Sequence, residues 1–151
     1  VRHRSRFIAA LTLAAVVPGP TVASAPAAHG DVSATVTGLR STHGQVLACL
    51  THSSRRFPNC AREPEARKLV VPAGLRVDLD FGQVPAGTYA IALVHDENSN
   101  GKLDKRLIMP SEGFGFSRDA PVRLGPPSFG EAAFAVREGE AHQSIRMRYL
   151  F

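Results

Sequence analysis

The chain has 151 residues but no tryptophan, only two cysteines, two methionines and two tyrosines, and 7% aromatic residues in all. Its main apolar stretch, Phe7 to Val17, has 11 residues, short of the roughly 20 that a helix needs to cross hydrocarbon. It also lacks the G-x-S-x-G of a nucleophile elbow, the H-E-x-x-H of a zinc protease and a glycine-rich nucleotide loop. No amphipathic helix of useful length and no internal repeat is present. A large multi-domain enzyme is thereby excluded, and an N-terminal membrane anchor is the weaker reading of that apolar stretch. What the chain has instead is an ordinary globular balance of 44% hydrophobic and 21% charged residues, with 13 Gly and 11 Pro that favour turns between strands.

The formal charge is +5, from 18 basic and 13 acidic residues. Much of that excess belongs to residues 1–28, which read as a secretory signal. Arg2, Arg4 and Arg6 form the basic start, Phe7 to Val17 the apolar centre, and Pro18-Gly19-Pro20 breaks any helix. Small residues from Ala23 to Ala28 then offer a cleavage site. The segment carries three basic residues and no acid, so 15 basic against 13 acidic residues remain and the charge falls to +2. The remaining cations are scattered, and neither Arg55-Arg56, Arg67-Lys68 nor Lys105-Arg106 has interleaved aromatic rings. No nucleic-acid partner is expected. The mature domain, residues 29–151, is expected in the periplasm or outside the cell, with no membrane span once the signal is cleaved.

Residues 32–39 alternate apolar and polar as a half-buried strand does, and Gln45 to Thr51 reads as the antiparallel partner across a turn at Ser41 to Gly44. From Leu75 to Phe81 the alternation puts Leu75, Val77, Leu79 and Phe81 on a dry face and Arg76, Asp78 and Asp80 on a wet one. After a turn at 84–87, residues 88–95 form a long strand. Glu131 to Val136 and Ser144 to Leu150 read as two more, and Glu63 to Lys68 as a helical turn inside the loop that follows Thr51. The fold class is therefore all-β: a single prealbumin-like or immunoglobulin-like β-sandwich of about seven strands. In an exported chain, Cys49 and Cys60 are expected to form a disulfide.

The chemistry gathers in one loop. Asp96, Asn98 and Asn100 alternate ahead of Gly101, Lys102 and Asp104 in the D-x-N-x-N-G-x-x-D pattern of a calcium loop. Oxygen-bearing side chains at alternate positions converge on a hard cation, and the glycine lets the Lys102 backbone carbonyl turn inward. The usual closing glutamate is replaced by Leu107, leaving Glu112 or Glu97 to supply a carboxylate. The same residues also fit a polar turn that satisfies only itself. Next, Phe114 and Phe116 alternate with glycines, as exposed ligand contacts or as rings that close one end of the sandwich. His95, Asp96 and Glu112 are the candidates for a metal-assisted hydrolase, although adjacent strand residues point to opposite faces.

The run Gly87-Thr88-Tyr89, His95-Asp96-Glu97-Asn98, Asn100-Gly101-Lys102-Leu103-Asp104, Pro110, Glu112-Gly113 and Gly115-Phe116-Ser117 resembles the bacterial exported family called domain of unknown function 2141. The likeness extends over most of residues 31–151, with Gly38-Leu39, Gly44, Pro126-Pro127-Ser128-Phe129 and Tyr149. It implies a secreted β-sandwich similar to prealbumin-like or carboxypeptidase regulatory-like modules, and it implies no activity. The expected role is that of a small binding or structural module, not an enzyme, whose loops meet an envelope protein, a peptide or a glycan. Calcium is the one cofactor in view.

Overall fold

The computed structural model describes residues 27–60, 62–103, 105–106 and 109–150. The export signal expected over 1–28 lies outside them except for Ala27 and Ala28, as do Asp104 and Leu107. The strands are β1 (His29–Thr37), β2 (Gln45–Thr51), β3 (Arg67–Pro72), β4 (Arg76–Pro85), β5 (Gly87–Asp96), β6 (Lys105–Arg106), β7 (Met109–Pro110), β8 (Gly113–Phe116), β9 (Phe134–Val136) and β10 (Gly139–Arg146). The one α-helix among the described residues, α1 (Phe129–Ala132), is a single turn.

Two sheets make the expected all-β sandwich. One has the order β10-β1-β4, with β1 parallel to β10 and antiparallel to β4. The other runs β3-β2-β5-β8, with β9 also paired to β5. β6 and β7 form a small separate ladder. Between the sheets, Val32, Val36, Val46, Leu50, Leu79, Ile91, Leu93 and Ile145 are almost wholly buried. Each such side chain contributes about 1.5–3 kcal/mol.

Several expectations are corrected. β1 and β2 are not a hairpin. They lie in different sheets, and the segment 38–44 crosses between them. Each strand buries one face whichever strand it pairs with, so alternation carries no pairing information. Leu75 is 80% exposed, outside the strand that buries Val77, Leu79 and Phe81. A bulge opposite Val32 and Ser33 then shifts the parity of β4, so that Val84 points inward as Phe81 does. The helical turn expected at 63–68 gives way to β3, which begins at Arg67 as a sheet-edge strand. At the start of the strand expected over 131–136, α1 intervenes. Ser128 caps it, accepting the Glu131 N–H, while the Glu131 carboxylate accepts from the Ser128 N–H in return.

The two outer faces differ. The outer face of the β5 sheet carries a second apolar cluster, in which Ala90, Ala92, Phe114, Phe116, Ala120 and Ala132 are buried beneath Phe57, Val122 and Phe129. Cys49 in β2 is bonded to Cys60, as expected, and this ties the Phe57 loop down. Phe57 meets Phe116 and Phe129 edge-on. Among the described residues, the outer face of the β10-β1-β4 sheet has no such cover and forms a shallow groove.

Candidate functional site

The end of the sandwich where β5 stops brings together the loop 38–44, the loop after Asp96, residues 111–113 and the C-terminal segment. β5 delivers His95 on its inward face and Asp96 as its last residue, and both are fully buried. Gly44 makes the crowding possible. A Cβ there would lie 2.1 Å from the Asp96 carbonyl oxygen, and φ is +76°. Gly113 likewise lies against the Tyr149 ring, where a Cβ would meet a ring carbon at 2.4 Å.

His95 uses both ring nitrogens. Nε2 is 2.8 Å from the His43 carbonyl oxygen, which can only accept, so Nε2 carries a proton. Nδ1 lies 2.6 Å from the Tyr149 hydroxyl, which accepts the Arg40 N–H at 3.1 Å and has its own proton to give. The Arg40 guanidinium sits 4.5 Å over the Tyr149 ring centre and grips the Glu97 carboxylate. Glu97 also accepts from the Ser41 hydroxyl at 2.9 Å. Arg40 thus holds the Glu97 carboxyl below the usual range against the opposing effect of burial. Burial pushes the Tyr149 phenol up.

Asp96 is the hub of the next loop. Its Oδ2 accepts from the Gly101 N–H at 2.7 Å and from the Gln45 amide at 2.8 Å, and its Oδ1 from the Asn100 N–H at 3.0 Å. Burial alone would raise its pKa, but the donors from Gln45, Gly101, Asn100 and Ser99 outweigh that and hold the carboxyl below its ordinary value. Asn98 Oδ1 accepts from the Asn100 N–H, and Asn100 Oδ1 from the Lys102 N–H. Gly101 has φ +79°, the sharp turn expected of it. The alternating oxygens are therefore present in the expected order, each receiving a loop N–H. Glu112, buried between β7 and β8, accepts the Glu97 N–H at 3.2 Å.

Of the candidate ligands, the structure brings Asp96, Asn98, Asn100 and Lys102 into one turn and sets Glu112 beside its first residue, while Asp104 lies outside the described residues. Among the described residues, no group of three or more His, Cys, Asp or Glu side chains is placed to hold a metal ion. Of the hydrolase candidates, His95 and Asp96 serve separate sets of partners and both are sealed from solvent. Phe114 and Phe116 are not exposed contacts: at 5% and 7% exposure they belong to the second apolar cluster. Arg40, Ser41, His43 and Gln45 were not legible as partners, because nothing local in 40–45 marks them for residues more than 50 positions away. Tyr149 had a signal, its place in the resemblance.

The family model described as an uncharacterized protein conserved in bacteria (DUF2141) matches residues 34–144. That span takes in the second half of β1, all of β2 to β9 with the loop after Asp96, and most of β10, and it stops short of Tyr149. No curated protein and no solved structure matches the chain.

Proposed function

The chain belongs to the DUF2141 family, and we propose that it is an exported β-sandwich module that binds or scaffolds and has no catalytic centre. One observation carries this reading: both nitrogens of His95 and both oxygens of Asp96 are engaged by protein donors and acceptors in a closed environment. A general base or a nucleophile-activating group needs an atom that can reach substrate. Here the titratable groups instead brace the loop end, and the exposed residues 98–102 are what that end presents to a protein, peptide or glycan of the cell envelope. No helix among the described residues is long and apolar enough to cross a membrane. Export is supported by the basic and apolar segment at 2–17 and by the Cys49–Cys60 bond.

Within this reading the 96–104 loop is held by its own hydrogen bonds. A calcium-held loop is the second reading, favoured by the alternation of Asp96, Asn98 and Asn100 oxygens ahead of a left-handed Gly101. Calorimetric titration with calcium separates them. The self-held loop gives no heat and the same melting temperature in chelator and in excess calcium. Saturable heat, with a rise in melting temperature that Asp96→Ala removes, would establish the calcium loop. Turnover on an ester or peptide substrate that His95→Ala abolishes while the melt stays unchanged would overturn the non-catalytic reading.

A further inference from the structure

Three asparagines occur in the chain, and only Asn100 is followed by glycine. The Asn100-Gly101 pair lies in the exposed part of the loop after β5. An asparagine side chain can be attacked by the backbone nitrogen of the next residue, which closes a succinimide ring. Glycine favours that step, because it has no Cβ to obstruct the approach and tolerates the backbone angles required. A Cβ built at Gly101 would meet nothing within 4 Å, so the rest of the fold does not crowd the position. The loop also prepares the electrophile. Asn100 Oδ1 accepts the Lys102 N–H at 3.0 Å, which folds the carboxamide back over its own backbone and draws electron density from Cγ.

The nucleophile, by contrast, is held. The Gly101 N–H donates to Asp96 Oδ2 at 2.7 Å, the short distance of a hydrogen bond to a charged acceptor. Asp96 is itself fully buried and fixed by the Gln45 amide. This bond opposes ring closure in two ways. The amide nitrogen is planar, so Cγ must arrive where the proton now points, and Asp96 occupies that direction. The carboxylate also disfavours loss of the proton, because a second negative charge would form beside the first.

We propose that Asn100 is a self-modification site kept latent by Asp96. When the loop opens locally and Gly101 leaves Asp96, the Gly101 nitrogen bonds to Asn100 Cγ and gives up its proton. The Cγ–Nδ2 bond breaks, and ammonia departs with that proton. Water then opens the succinimide. Its attack at Cγ yields aspartate, and its attack at the backbone carbonyl yields isoaspartate, with one more carbon in the main chain. Either product places a new carboxylate among residues 98–102, the exposed part of the loop end. The chemistry does not depend on what meets that end, so it can fail while the binding reading stands, and the reverse.

The test follows Asn100 in the full chain during incubation at mildly alkaline pH, by mass spectrometry of the peptide that contains it and by enzymatic methylation of isoaspartate. Conversion in the folded parent is expected to be at least about tenfold slower than in the same chain held unfolded in denaturant, because only the opened fraction reacts. Asp96→Ala, kept below its melting temperature, is expected to convert at least about tenfold faster than the folded parent. Asp96→Asn keeps a neutral, weaker acceptor and should fall between the two, about threefold or more above the parent; it decides if Asp96→Ala does not fold. The double variant Cys49→Ser, Cys60→Ser separates the latch from general destabilisation: it weakens the fold but keeps the Asp96 bonds, so conversion stays at the parent's rate. Asn100→Gln removes the signal. Equal rates in the folded and unfolded parent, no acceleration on losing the Asp96 carboxylate, equal acceleration in the disulfide variant, or a signal that survives Asn100→Gln would each overturn the proposal.

Discussion

The polar end around His95 and the acidic face around Asp31 hold similar residues and treat them in opposite ways. At the loop end the described acids, Asp96, Glu97 and Glu112, are buried or half-buried and engaged by a guanidinium, an amide or backbone N–H groups. On the sheet face Asp31, Asp80 and Glu140 are exposed, Asp31 and Glu140 stand in register on neighbouring strands, and Asp80 accepts the Gly82 N–H at 2.8 Å. The region richest in chemistry-bearing side chains is thus the one whose chemistry is spent on architecture. The region that reads in the sequence as a solvated strand surface is the one left with unbalanced charge. Whether a polar group is satisfied by its own fold separates the two better than which residue types it contains.

The sharpest way to break the comparison is at Asp96. Asp96→Ala leaves the N–H groups of Asn100 and Gly101 and the Gln45 amide without their acceptor in a buried place. A loss of about 3 kcal/mol is expected in chemical denaturation. A loss below about 1 kcal/mol would mean that the loop end is not the brace described. The same carboxylate sets a pH dependence. Its folded pKa is depressed, so its contribution is fully present above the unfolded value of about 4 and is lost as pH falls through the lower folded value. Stability should be level from neutral pH to about pH 5 and then decline below about pH 4, less steeply in Asp96→Ala.

That brace was only half legible. The D-x-N-x-N-G run announced a turn built on alternating oxygens, and the turn is there, with Gly101 left-handed. What the run could not announce is that β2, pairing Gln45 with Asp96, brings an amide onto the carboxylate. Alternation similarly located β2, β4 and β5 but could not tell that β1 pairs β4 and β10 instead of β2, because burial of one face is indifferent to the neighbour. β3 was missed since a short edge strand opening on Arg67-Lys68 looks like the end of a polar loop. The capping box Ser128-Phe129-Gly130-Glu131 was in plain sight, yet the strand pattern of Phe134 to Val136 was extended back across it. Phe114 and Phe116, which the alternation offered either as exposed contacts or as rings closing one end of the sandwich, lie instead on the outer face of the β5 sheet, because Phe57, on the loop tied by Cys60, covers that face.

The contrast between covered and uncovered sheet faces yields the next effect in size. Replacing Cys49 and Cys60 by serine frees the strap that carries Phe57 and is expected to cost about 2–3 kcal/mol, read from denaturation midpoints. A smaller step is Tyr149→Phe. It removes the hydroxyl between Arg40 N–H and His95 Nδ1 and keeps the ring under the guanidinium. A loss of about 1–2 kcal/mol is expected from two hydrogen bonds with partly buried partners.

The smallest effect has the opposite sign and tests the comparison most directly. If Asp31 and Glu140 are a charge conflict that the fold tolerates, relieving it should stabilise the protein, whereas neutralising an acid at the loop end destabilises it. Asp31→Asn with Glu140→Gln is therefore expected to raise the melting temperature by about 1–2 °C in low salt. The gain should shrink as salt is added, since exposed charges are screened over about 10 Å at 0.1 M. A fall in melting temperature would show that these carboxylates are part of the sheet's own bonding. In that case the two polar regions would differ only in exposure.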